Sequence, residues 1–587
     1  MNMYQILKAL SSITKIIILI PSITVLLAGC TEGESSQATG QNLGGDGDVF
    51  EKDRLLNIEI FMSEKNFSEL KSEGRTLASA SRDCVPEFEY TEFKAKVVID
   101  GVTVPKVTVR KKGFLGSLSP TRPSLKIDFD DRVSGQTYQN RKRMTLNNNR
   151  QDVSNARQCL SYAMFDAAGI KAPRCNFARV TVNGEDFGVY THVEPIKKPF
   201  LERAFGNDEG NLYEAQLADF GEYLNDKFEK KTNERENDRS DLTRISNLFS
   251  LSNEAFVEEV EQVIDIDEFI SFWAIETLIG HWDSASGNAN NFYIYFSPID
   301  NKFHFIPWGA DASFSPIHFT RPGTGPVYRN FRLAERLYSI EMYRNQYIQT
   351  LTEFMNLYWD EEALTLEAKR IAQLTNTPTE NLETLLRFIN GSDVSTDDAS
   401  VSISQRERLN LAITGQDIGS EPELLKDEPL NCEAPVKYNL TAHAVANNGT
   451  DTGEFRFTLP SGHQVNASIN LASLNVDSIV IQKEQLTNPA VMSILMIGAD
   501  SNDFYKPYVL QAFIEEPQFI EGTHKFHAFA NNIILFEVDE SLPMGVKTIA
   551  LGGTGEFIIE SVFIGENQTD INLHIDGNIE FNENVSE

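Results

Sequence analysis

Residues 281–314 read HWDSASGNANNFYIYFSPIDNKFHFIPWGADASF, and the rest of the chain is best read outward from them. An acid, Asp283, precedes a polar loop that holds Asn288, Asn290 and Asn291. Phe292–Phe296 then reads as a strand, the Pro-Ile-Asp-Asn stretch within 297–301 as a turn, and Lys302–Pro307 as the returning strand. Asp311 follows just beyond. An antiparallel hairpin brings the chain back to its starting end, so Asp311 is expected beside Asn291 and Asp283. Two carboxylates and an amide at a hairpin mouth are hard oxygen ligands suited to Mg²⁺ or Mn²⁺.

Protein kinases use the same order of parts. Their His-Arg-Asp loop is followed by four residues and an Asn, and a metal-binding Asp comes after a short hairpin. Here His281-Trp282-Asp283 is followed by four residues and Asn288. Spacing alone is equally served by a polar helix-to-strand connection whose side chains cap the turn.

Upstream, Leu55–Met62, Phe88–Asp100 and Lys106–Lys111 alternate as half-buried strands do. A loop with Gly113, Gly116 and Pro120 leads to the strand Ser124–Phe129. On it Leu125, Ile127 and Phe129 share one face, and Ser124, Lys126 and Asp128 the other. Ser154 is a suitable cap for a helix over 155–168, and Asn183-Gly184 joins two strands as a hairpin. Residues 225–243 are almost wholly polar and read as an exposed insertion. From 255 to 415 the pattern is mainly helical. A Pro- and acid-containing linker is expected over 416–436. Roughly nine short alternating segments over 437–587 then predict a β-sandwich-like domain.

The N-terminus carries Lys8 and Lys15 ahead of an apolar run, Ile16–Gly29, too short to span a membrane comfortably but suited to a signal peptide. It ends in Leu27-Ala28-Gly29-Cys30, which resembles the lipobox of bacterial lipoproteins. That resemblance implies acylation of Cys30, a membrane anchor and, with Thr31 next, an outer-membrane lipoprotein of the cell envelope. Residues 31–52 fit a flexible tether. Export leaves Cys84, Cys159, Cys175 and Cys432 for one or two disulfides whose pairing is open. The formal net charge of −33 argues against nucleic acid as a partner.

Across 53–415 several motifs occur in the order found in the CotH kinase family, which the chain resembles. Val109-Arg110-Lys111-Lys112-Gly113 is similar to the family's R-x-R-G element and Ser124–Phe129 to its K-x-x-F strand. Leu146-Asn147-Asn148-Asn149 with Asp152 resembles its L-N-x-N…D stretch. Ala172-Pro173 and Val182–Tyr190 through Glu194 resemble its G-x-x-A-P and N-G-x-x-x-G-x-Y-x-x-x-E signature. Phe269–Trp273 and Asn290–Tyr295 resemble its helix and its N-N-Y-Y-L-Y strand.

The resemblance implies an α+β fold with an atypical, two-lobed kinase-like domain, and transfer of the ATP γ-phosphate to protein Ser or Thr with Mg²⁺ or Mn²⁺. It implies Lys126 on the ATP phosphates, with Arg110 and Glu194 as further cofactor contacts, and Asp283 at the acceptor hydroxyl. For metal it implies Asp311 with Asn291, or with Asn290 or Asn288 in its place. One departure stands out. Where many members read W-D-x-D or W-D-x-E, this chain has Trp308-Gly309-Ala310-Asp311, so Gly309 replaces the first acid. Shifted ligation by Asp311 and a degenerate surface binding or adhesion protein both remain open, and Gly309→Asp is expected to tighten metal if the site is intact. Gln158 stands where the family often has Glu, which puts a Lys–Glu pair with Lys126 in question. The chain has no G-x-x-x-x-G-K-[ST], H-E-x-x-H or G-x-S-x-G motif.

Overall fold

The computed structural model describes residues 40–581 apart from 46, 75–87, 114–115, 316–325, 392–403, 417–420, 431–435, 448–450, 470–478, 485–488, 501–502, 527–531, 539–545 and 565–568. The expected signal peptide, Cys30, Cys84, Cys432 and residues 31–39 of the tether lie outside the described residues. The described rest of 31–52 is not the flexible tether its composition suggested: Asn42–Leu43 pairs with Thr137–Tyr138, and Val49 and Phe50 are buried against the barrel, because two apolar side chains suffice to anchor a polar segment.

Seven strands, Leu55–Phe61 (β1), Phe93–Ile99 (β2), Val102–Lys112 (β3), Ser124–Asp128 (β4), Arg143–Asn147 (β5), Cys175–Val182 (β6) and Glu185–Val193 (β7), close into a barrel in the order β1-β2-β3-β4-β5-β7-β6. All neighbours are antiparallel except β1 and β6, whose parallel pairing shuts the ring. Closure leaves no strand edge open. Ile58, Val97, Val109, Leu125, Ile127 and Leu146 fill the interior. Because side chains alternate along a strand, Arg110, Lys112 and Lys126 must then face outward. Arg110 and Lys126 are register partners and stand side by side.

Helix Glu64–Ser72 (α1) lies at one end of the barrel, where the buried Lys111 donates to Lys71 O at 2.8 Å and Glu73 O at 2.6 Å. Helix Arg157–Ala167 (α2) starts later than the sequence suggested, with Ala156 at its N-cap. Asp152 takes the capping role expected of Ser154: its Oδ2 accepts from Arg157 N at 2.8 Å. A Cys159–Cys175 disulfide ties α2 to β6.

A second sheet of Asn211–Ala215 (β8), Phe228–Lys230 (β9), Phe292–Ser297 (β10) and Lys302–Pro307 (β11) runs β9-β8-β10-β11, all antiparallel. The expected hairpin is its β10–β11 half, with Phe292 opposite Pro307. Residues 225–243 are not the exposed insertion their polarity suggested. Phe228 is fully buried within β9, and Leu242 and Ile245 are buried on the helix Ser240–Asn247. A few well-spaced apolar side chains are enough to anchor an otherwise polar segment.

Helix Ile266–Leu278 (α3) forms the centre of the helical region and is buried on nearly every side. Trp273 on α3 stacks on Tyr347 with ring centroids 3.7 Å apart. Helices Arg332–Ser339, Glu341–Tyr358, Glu361–Thr375, Glu383–Asn390 and Gln405–Ile413 surround it, as the helical pattern predicted.

From residue 436 on the described residues form strands and one short 3-10 turn, Glu516–Gln518, as the β reading expected, but the eleven described strands hydrogen-bond into one continuous sheet, a half-barrel, in place of a sandwich of two sheets. Alternation reports that one face of each strand is buried and cannot tell a curled sheet from a stacked pair. This region has its own apolar core around Phe455, Leu510 and Leu535. It also reaches into the barrel region. Glu515, at the end of the strand Asp503–Glu515, is fully buried against Arg150, Ser119 and Thr121.

Candidate functional site

The outward face of β3 and β4 meets the second sheet in a cleft rich in charge. Lys126 lies near Arg110, Lys112, Glu214 on β8 and Lys231 just after β9. Burial, then the neighbouring Arg110, push the Lys126 ammonium well below the usual lysine range, and Glu214 opposes them. Lys231 is held between Glu214 at 2.7 Å and Glu229 at 2.6 Å. Burial would raise the Glu214 carboxyl, but Lys231 and Lys126 hold it well below the carboxylate range. The acidic neighbour of Lys126 is therefore Glu214, from a different element than the helix position of Gln158.

Gln158 belongs to another chain of contacts. Lys112 Nζ donates to Asn147 Oδ1, and Asn147 Nδ2 donates to Gln158 Oε1 at 2.8 Å. Lys112 also sits over the Trp308 ring, 5.7 Å from its centroid. Burial brings its pKa down to about 8, while Asp311 and Glu214 pull it up.

Asp283 is built into a tight loop. Its Oδ1 accepts from Asn288 Nδ2 at 2.9 Å and Asn290 Nδ2 at 3.0 Å, and its Oδ2 from Asn291 Nδ2 at 2.7 Å. The helical turn Ala285–Asn288, capped by Ser284, brings these amides round. Left-handed backbone at Ala289 and Asn291 then turns the chain into β10. Gly287 admits no side chain, since a Cβ there would lie 2.1 Å from Trp282 O. From α3, the buried Glu276 accepts from Ala285 N at 3.1 Å and Ser286 N at 3.0 Å and fixes the turn. His281 is buried, its ring nitrogen 3.4 Å from Trp308 O, and burial lowers its pKa to about 4, which leaves a neutral imidazole.

Asp311 lies in the turn Ala310–Ala312. Burial raises its carboxyl to about 7; Lys112 lowers it, and Asp152 and Asp283 add repulsion. Asp311 thus feels the charge of Asp283, as the fold-back of the hairpin leads one to expect. Arg157 on α2 is close to both Asp152 and Asp311.

The expected residues are not all brought together. Arg110, Lys126, Asp283, Asn288, Asn290, Asn291 and Asp311 belong to this cleft and the loop that borders it. The three Asn side chains direct their NH₂ groups at Asp283, so they orient that carboxylate. The Asn290 oxygen accepts from Leu217 N at 3.2 Å. The Asn291 oxygen faces Gly309, where a Cβ would come within 2.5 Å of it. Glu194 is engaged otherwise: its carboxylate accepts from Arg174 at 2.6 Å and Arg203 at 2.7 Å. Burial would raise it, and those two guanidiniums bring it down, as a buried structural ion pair does. Sequence reasoning did not single out Lys112, Glu214, Lys231 or Arg157. Lys112 was within reach, because it shares the outward parity of Arg110; Glu214 and Lys231 have no local signal.

A family model described as CotH kinase protein matches residues 109–403, about half of the chain and a span that encloses the whole cleft. The chain is also similar to inner spore coat protein H of Bacillus subtilis, 26% identical over 198 residues, which cover 32% of this chain and 54% of that protein. It is 25% identical over 195 residues to invasin CotH2 of Rhizopus delemar, covering 30% of this chain and 33% of that protein. The matched stretch thus spans about half and a third of the length of these curated relatives. With a family match of that extent laid over the cleft, this chain belongs to the CotH kinase protein family.

Proposed function

We propose that this chain is a cell-envelope protein kinase that transfers the ATP γ-phosphate to protein Ser or Thr with a divalent metal, on a two-lobed kinase-like domain. In this reading the barrel is one lobe and the helical region the other. One observation carries it: Asp311 feels the charge of Asp283, which three amide donors hold, and of Lys112, which in turn lies near Arg110 and Lys126. The donor set fits both groups. Carboxylates that feel each other's charge suit Mg²⁺ or Mn²⁺, and clustered cations suit a polyphosphate.

Bound nucleotide and metal would supply the phosphoryl group and neutralise its charge. The chain's own residues do the rest. Lys126, Arg110 and Lys112 hold negative phosphate oxygens, which offsets the burial and the neighbouring positive charge that depress the Lys126 pKa. Asp283, fixed by Asn288, Asn290 and Asn291, orients the acceptor hydroxyl and takes its proton. Asp311 is the carboxylate placed to hold metal, and it competes with its own proton to do so.

The envelope location rests on the lipobox-like Cys30 and the preceding apolar run. None of the described helices is long and apolar enough to cross a membrane. Gly309 favours a second reading, a catalytically degenerate surface-binding lipoprotein, because its packing against Asn291 leaves no room for the family's acid. The scarcity of ATP outside the cytoplasm points the same way.

Phosphate transfer from γ-labelled ATP, with Mn²⁺ or Mg²⁺, onto the chain itself and onto a Ser/Thr-rich protein separates the two. Label incorporation lost in Asp283→Asn supports the kinase. Absence of both transfer and nucleotide-induced stabilisation supports the binding protein.

A further inference from the structure

Away from the cleft, His304 on β11 stands among three carboxylates. Its Nδ1 is 2.7 Å from Glu268 Oε2 and its Nε2 is 3.0 Å from Asp300 Oδ2. Asp265 caps α3 by accepting from Glu268 N at 3.0 Å. One oxygen each of Asp265 and Glu268 and a ring nitrogen of His304 all lie within 4.8 Å of one another. The backbone makes this meeting obligatory: Phe303 N donates to Val263 O at 2.9 Å, and Ile264 bridges Phe303, stitching the start of α3 to β11. Asp300 belongs to the turn of the hairpin, whereas Asp283 and Asp311 sit at its mouth. His304 is three residues short of the mouth, about 10 Å along the strand.

Three features separate this cluster from an ordinary ion pair. Three carboxylates surround a single imidazole, and among the described residues no Lys or Arg forms a salt bridge with Asp265, Glu268 or Asp300. Glu268 Oε1 is buried and has no hydrogen-bond partner. Asp300 faces Nε2, the outer carboxylate contact that metal-bound histidines almost always make, and Nδ1 faces Glu268. His304 itself is buried, and the Phe205 ring lies 5.2 Å from its own.

We propose that Asp265, Glu268 and Nδ1 of His304 form a second metal site, separate from the nucleotide cleft, for a divalent ion that accepts mixed nitrogen and oxygen donors, Zn²⁺ first and Mn²⁺ second. Entry of the ion releases the Nδ1 proton to solvent, so binding strengthens as protons become scarcer. The ion braces two elements that build the cleft. α3 carries Glu276, which holds the Asp283 turn, and β11 leads into Asp311. The inference does not depend on phosphotransfer.

The test is titration of the full-length, chelator-treated chain with ZnCl₂ and separately with MnCl₂, without nucleotide, by calorimetry and thermal shift. One tight event with a rise in Tm is expected. It persists in Asp283→Asn and Asp311→Asn and is lost in His304→Gln and Glu268→Gln. Asp300→Asn, at the hairpin turn, is expected to weaken binding by about 10–100-fold without unfolding the chain. The proposal is overturned by the absence of any metal binding. Binding by His304→Gln equal to the parent, or loss of the event in the Asp283 and Asp311 variants, overturns it equally.

Discussion

Glu515 offers the sharpest test of how the C-terminal sheet is joined to the barrel region. Its side chain is 0% exposed and that of Arg150 1%. Arg150 Nε donates to it at 3.2 Å and Ser119 Oγ at 2.9 Å, and Thr121 Oγ1 also donates. Glu515→Ala leaves the Arg150 charge buried without its carboxylate and two hydroxyls without their acceptor. Breaking a buried pair in this way costs about 3–5 kcal/mol. Replacing both ions with apolar groups avoids the stranded charge, so Arg150→Met with Glu515→Leu is expected to regain most of the loss. Urea unfolding of the parent, Glu515→Ala and the Arg150→Met/Glu515→Leu chain, followed by fluorescence and by proteolysis within 416–436, reads both effects. Early cleavage there is expected in Glu515→Ala alone. A Glu515→Ala chain within about 0.5 kcal/mol of the parent would refute the reasoning, because a surface substitution has an effect of that size.

Two further outcomes follow from the cleft. Asp311 has a native pKa of about 7, above its unfolded value. Its proton therefore stabilises the native state at low pH, and that contribution fades as pH rises from the unfolded pKa through about 7. The drop is at most about 4 kcal/mol, less because the side chain is only half-buried. Without metal, Asp311→Asn should flatten this part of the stability–pH curve, and a curve unchanged by the substitution would contradict the assignment. The sequence suggested that Gly309→Asp would tighten metal if the site is intact; the crowding at Gly309 argues for the opposite outcome. Gly309 has φ +55°, and a Cβ would lie 2.5 Å from Asn291 Oδ1. The variant should lose about 1–3 kcal/mol of stability and bind metal no better, as thermal shift with Mn²⁺ would show.

Much of the site could be read from the linear order. Phe292–Pro307 had to fold back on itself, and that carries Asp311 within range of the Asp283 charge. The strand parity of Ser124–Phe129 correctly turned Lys126 away from the core, and the helical pattern over 255–415 held. These are local properties, fixed by alternation and turn chemistry within a few residues.

The remainder depended on contacts between distant segments. Glu214 and Lys231 reach Lys126 because the second sheet packs against the outside of a closed barrel, and closure comes from a parallel pairing, β1 with β6, that no local pattern encodes. Glu194 matched a motif, yet Arg174 and Arg203 claim its carboxylate. The strands after residue 436 announced a buried face, but only their hydrogen-bond partners chose one curled sheet over two stacked ones. Periodicity tells which face of an element seeks cover; what covers it is decided by the packing of the whole chain.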